Sequence, residues 1–155
     1  MSEPSAEVSP LAQHLGFWMR RVSNHVSHTF AQKLKAHGVT VAEWVILREM
    51  YGQPGAMAPS RVAELTGLTR GAVSKLITRL LEKELVTRQE SNHDRRYQDI
   101  ELESAGRSLV PRLALLADAN DEEFFSALTA PERSTLKRLL ETLTEVHQIT
   151  IMPVE

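Results

Sequence analysis

The sequence predicts a mainly α fold with a small β-hairpin wing, the winged helix-turn-helix class. Three observations predict it. Apolar residues recur at three- and four-residue steps over most of the 155 positions. Two short helical stripes are separated only by Gly67-Leu68. Directly after them, two strand-like runs flank the turn-forming stretch Ser91-Asn92-His93-Asp94.

The elements follow in order. Residues 1–9 read as a disordered leader, too acidic and polar for a signal peptide. From Pro10 to Ala36, Leu11, Leu15, Trp18, Val22, Val26, Phe30 and Leu34 share one face, so one long amphipathic helix is expected. Gly38 ends it, with Lys33 and Lys35 in the last turn, where the helix dipole favours cations. Thr40 caps a second helix reaching Tyr51, and Glu43 completes a capping box. Gly52-Gln53-Pro54-Gly55 reads as a loop. Pro59 opens a third helix that runs to Thr66, with Val62, Ala63 and Leu65 inward, and Gly67 closes it in a left-handed cap. Thr69 caps a fourth helix to Lys83, whose apolar positions 72, 73, 76, 77, 80 and 81 form a single stripe. Val86–Gln89 and Tyr97–Leu102 are the hairpin strands. A fifth helix runs from Ser104 to Ala119 and extends toward Leu128, on Leu109, Leu113, Leu116, Phe124 and Phe125. Thr129 caps the last helix, with Pro131 and Glu132 in its first turn and an apolar face of Leu136, Leu139, Leu140, Leu143, Val146 and Ile149.

Composition excludes several functions. There is no cysteine, which removes disulfides, thiolate zinc sites, iron–sulfur clusters and thiol chemistry. No apolar run approaches the ~18 residues of a membrane span, so a cytoplasmic protein without a membrane partner is expected. No phosphate loop, nucleophile elbow or converging carboxylate pair is present, so no enzyme and no cofactor are expected. The net charge of −2 hides an uneven distribution. Residues 59–98 carry +3, from eight cations (Arg61, Arg70, Lys75, Arg79, Lys83, Arg88, Arg95 and Arg96) against five acids, whereas residues 118–155 carry −5. Screening beyond about 8–10 Å makes the local patch, not the total, decide phosphate attraction.

The fourth helix must bury one face and leave the other free. The free face holds Arg70, Gly71, Ser74, Lys75, Thr78 and Arg79, with no acid before Glu82. Such a face suits the major groove: Arg70 offers a bidentate fork to guanine and Ser74 pairs with several bases. Lys75, Arg79 and Arg61 suit phosphate contacts, with Ser60 and the cap Thr69 at the helix starts. Arg95 at the hairpin tip suits the narrow minor groove. Asp94, unexpected on a DNA surface, is placed two residues from Arg96 to pair with it and stiffen the wing.

The run Ser60–Val86, with Asp94-Arg95-Arg96 and Ile100-Glu101-Leu102, resembles the MarR family of winged helix-turn-helix regulators. Asp94, Arg96, Leu102 and Gly106 fit that family's wing pattern; Glu103 stands where threonine is usual, leaving Ser104 to cap the fifth helix, and Ala58 stands where a hydroxyl often precedes Pro59. The resemblance implies a homodimer in which residues 10–38 and 104–150 form a helical dimerisation domain. Residues 39–103 would form the DNA-binding lobe. It further implies a pseudo-palindromic double-stranded DNA target with half-sites roughly 34 Å apart. A small aromatic or phenolic ligand would relieve repression, with Phe17, Trp18, Arg21, His25, His28 and Trp44 as candidate ligand residues. His25 and His28 have metal spacing, but the fifth helix offers no histidine over residues 104–119, so no metal is expected. Without cysteine the family's thiol peroxide sensing is ruled out. Two alternatives stay open: a winged-helix protein-interaction module, and a DNA-binding regulator without an effector.

Overall fold

The computed structural model describes residues 7–91, 94 and 96–154. Most of the expected leader (residues 1–6), together with Asn92, His93 and Arg95, therefore lies outside the described residues. The order is α1 (Leu15–Lys35), α2 (Val41–Tyr51), α3 (Pro59–Thr66), α4 (Arg70–Glu82), β1 (Val86–Glu90), β2 (Gln98–Leu102), α5 (Ser104–Phe125) and α6 (Ala130–Val146). None of the helices among the described residues is long and apolar enough to cross a membrane.

The first helix is not continuous from Pro10. Leu11–Gln13 makes one 3-10 turn, and His14 is extended before α1 begins. The Trp18 indole donates to the Ala12 carbonyl at 2.8 Å. An unbroken helix would have given that carbonyl to the Gly16 amide. Gly38, at φ +77°, follows the end of α1 as expected.

Thr40 caps α2 by accepting from the Glu43 amide at 3.2 Å. The expected capping box is only half made. The Glu43 carboxylate accepts from the Thr40 hydroxyl at 3.1 Å and is otherwise taken by Lys83, so it does not return to the Thr40 amide. Gly67 closes α3 at φ +71°, the left-handed conformation that glycine adopts without steric cost. Thr66 behind it is fully buried, and its hydroxyl donates to the Val62 carbonyl and accepts from the Leu68 amide.

The hairpin pairs Val86 with Leu102 through Glu90 with Gln98, antiparallel. Met57 adds a one-residue bridge to the free edge of β2, exchanging two 2.8 Å hydrogen bonds with Ile100. A single bridging residue has no alternation to betray it in the sequence. The core joins Ile46, Leu47 and Met50 of α2 to Val62, Val73, Ile77, Leu80, Ile100, Val110 and Leu113.

Gly106 is required by close approach, since a Cβ there would overlap the Leu85 carbonyl oxygen. This lets α5 rest directly on the chain that leaves α4. Ser104 does not cap α5: it is already helical, and Glu103 holds the N-cap position without a side-chain cap bond. Pro111 lies inside α5, where its missing amide leaves the Arg107 carbonyl without its helical partner. Asn120, buried, ties α5 to α1 through the Val26 carbonyl and the Thr29 hydroxyl. Thr129 and Glu132 complete a full capping box on α6, yet no residue of α6 is buried.

Candidate nucleic-acid interface

The interface is built around α4. Its buried stripe of Val73, Leu76, Ile77 and Leu80 packs on the core and fixes which way the opposite face points. That face carries Arg70, Gly71, Ser74, Lys75, Thr78 and Arg79, all exposed. Among the described residues no carboxylate pairs with Arg70, Lys75 or Arg79. Unpaired cations on a helix face leave their full field to an incoming anion. A Cβ on Gly71 would meet nothing within 4 Å, so no contact inside the chain requires glycine there. Thr69 holds the helix start by accepting from the Ala72 amide at 3.1 Å, and Thr78 donates back to the Ser74 carbonyl.

Two expected cations are otherwise engaged. Arg61 pairs with Glu64 at 3.0 Å on the exposed face of α3. Arg96 donates from Nη2 to Asp94 Oδ2 at 2.7 Å and from Nε to both oxygens, while its amide also donates to Oδ1. The Tyr97 amide closes the turn on the Asp94 carbonyl at 3.1 Å. Asp94 is thus the organiser of the wing turn. The Arg96 side chain first and its amide second hold the Asp94 carboxyl below the usual carboxylate range. The same pair raises the Arg96 guanidinium. An open groove of about 890 Å³ between the start of α3 and the wing brings together Ser60, Arg61, Arg70, Asp94, Arg96 and Tyr97.

Another cation of the basic segment, Lys83, is drawn off to the buried Glu43 carboxylate. Sequence reasoning counts its charge with the patch and misses this pair, because the partners lie 40 residues apart with no periodic signal.

The six candidate ligand residues fall in different places. Arg21 stacks over Phe17 and Trp18 at 5.4 and 5.3 Å near the start of α1. The His25 ring lies 5.6 Å from that of Phe124, and His28 is exposed. Trp44 meets Phe30 edge-on and helps to line a hollow of about 350 Å³ with Val41 and Arg48. Met152 and Pro153 of the C-terminal tail form the other wall of that hollow. Within one chain these residues do not converge on a single cavity. Among the described residues no group of three or more His, Asp or Glu side chains could hold a metal ion.

Residues 37–96 match the profile described as "MarR family". An HTH-type transcriptional repressor of Mycobacterium tuberculosis is 29% identical over 129 residues, 83% of this chain and 92% of that protein. The Bordetella bronchiseptica regulator BpsR, whose structure concerns regulation of DNA binding by 6-hydroxynicotinic acid, superposes with a TM-score of 0.76 at 25% identity. That match covers 89% of this chain and 98% of BpsR. The S. aureus protein MepR, in complex with DNA, shares the fold at TM-score 0.76 and 23% identity, over 86% of this chain and 98% of MepR.

Proposed function

We propose that this chain, similar to the MarR family of transcriptional regulators, is a member of it and acts as a homodimeric repressor whose two α4 helices read a pseudo-palindromic duplex. The observation that carries the reading is the exposed face of α4, where among the described residues no carboxylate pairs with Arg70, Lys75 or Arg79, beside a wing turn held by Asp94 and Arg96. Arg70 and Ser74 read base edges, Gly71 permits close approach, and Lys75, Arg79, Ser60 and Arg61 hold phosphates. Thr69, the N-cap of α4, and Thr78 within it add hydroxyls to the same DNA-binding face. Arg96 and Asp94 set the wing, and Arg95 enters the minor groove.

Residues 10–38 and 104–150 form the dimerisation domain, and residues 39–103 the DNA lobe. The support is the apolar surface that one chain leaves open. Leu15 is 81% exposed and Leu143 45%. A patch of this kind marks a partner surface rather than free solvent.

A small aromatic or phenolic ligand relieves repression. The Bordetella relative, whose DNA binding is regulated by a hydroxylated aromatic acid, supports that class of effector. Of the six candidates, Trp44 lines a hollow that suits an aromatic ring, with Arg48 and Glu49 both in its lining to meet the polar groups of a phenolic or carboxylate ligand.

Mobility shift on the duplex beside the protein's own coding sequence tests the role. Retardation as a dimer, released by aromatic carboxylates, is expected. No binding to any duplex at low salt would overturn it.

A further inference from the structure

We propose that Lys83 and Glu43 are positioning residues that lock the angle of α4 against the end of α1 and thereby set the half-site spacing the dimer accepts. The inference rests on the dimeric DNA-reading role proposed above.

Lys83 is the C-cap residue of α4. Its ammonium makes three bonds, to Glu43 Oε2 at 2.7 Å, to Glu43 Oε1 at 3.0 Å and to the Gly38 carbonyl at 2.7 Å. Glu43, in the first turn of α2, is 1% exposed. Gly38 stands just past the end of α1. One cation therefore ties the far end of the DNA-reading helix to both the dimerisation helix and α2. The Thr40 hydroxyl also donates to Glu43 Oε1, at 3.1 Å.

Only the Glu43 half of the pair is buried, the Lys83 side chain being 38% exposed, so its contribution to stability is small beside what it costs to desolvate the carboxylate. Buried ion pairs are often replaceable by apolar groups without loss, and their best-attested use is to fix one arrangement among several. The geometry shows what is fixed here. The 13 residues of α4 span about 20 Å at ~1.5 Å per residue. A tilt of about 10° pivoting at Lys83 would move the Arg70 end by roughly 3.5 Å, close to the ~3.4 Å rise of one DNA step. In a two-fold dimer that shift enters twice, with opposite sense, so a loose pivot blurs the distance between half-sites.

The test uses the full-length protein and duplexes selected by it from a randomised pool, rebuilt with the half-sites moved closer or apart by about one and two base pairs. The expected result is a wild-type preference of at least about tenfold for one spacing. Lys83→Gln and Glu43→Gln should compress it to within about twofold, and Lys83→Arg should restore it. If the glutamine variants melt too early to assay, Glu43→Asp is read instead, and its shorter reach should move the preferred spacing. Variants that lose affinity equally at every spacing, with the preference intact, would overturn the proposal. A wild type that binds duplex with no spacing preference would instead overturn the dimeric reading on which it rests.

Discussion

Helices α4 and α6 carry equally clear apolar stripes, and the chain treats them oppositely. In α4 the stripe is covered: Val73 and Leu80 are fully buried, and the polar face is left to solvent. In α6 no residue is buried, and Leu139, Leu140 and Leu143 remain 42–48% exposed. Periodicity therefore states that a face will be covered but not by what. For α4 the cover is its own chain, so the polar face is the one left free. For α6 the cover must come from another surface, and the unmatched stripe on α1 (Leu15, Trp18, Met19, Val22) needs the same. A two-fold dimer satisfies both without any new surface.

The largest effect that sharpens this contrast is on assembly. Leu139→Glu with Leu143→Glu should leave a monomer by light scattering. DNA affinity should fall by roughly a hundredfold or more, because the second half-site is then no longer held at high effective concentration. An intact dimer would break the comparison.

Next is the interior of α4. Leu80→Ala should cost about 3 kcal/mol in denaturant unfolding, from lost burial and a cavity. Leu139→Ala, measured at concentrations where the chain is monomeric, should cost under about 1 kcal/mol, because its side chain is already half in water.

The exposed face of α4 follows. Arg70→Ala should cost about 1–3 kcal/mol against the preferred sequence and relax the preference at one position. Lys75→Ala should weaken binding to all duplexes alike and lower the salt slope by about one. Negligible changes in both would remove α4 as the reading surface.

The smallest effect is at the wing. The Asp94 carboxyl is held low by Arg96, so the pair is complete above the usual carboxylate range and is lost as pH falls through the folded value. A carboxyl chemical-shift titration should place the Asp94 midpoint below that of a free aspartate. Arg96→Ala should return it toward normal.

What is legible in the sequence is local. Thr40, Thr129 and Gly67 declare helix ends through short-range chemistry, and the α4 stripe declares its own orientation, so the basic face can be read from residue order alone. The Asp94–Arg96 pair spans two residues and is equally readable. What stays hidden depends on distant partners. Glu43 reads as a capping-box residue until Lys83 arrives from the end of α4. Met57 carries no strand signal of its own and pairs only because β2 presents a free edge. Ser104 looks like the better cap than Glu103, yet the helix starts one residue earlier than a serine cap would allow. The α1 break at His14 depends on one indole bond to a carbonyl that sequence alone assigns to the helix.

In the proposed function, open apolar helices and one basic α4 face on each chain together make a two-headed DNA reader. Footprinting on a selected duplex, with stoichiometry measured in parallel, tests this most directly. Two protected half-sites about one helical turn apart, bound by two chains, are the predicted result. A single protected half-site bound by one chain would contradict it.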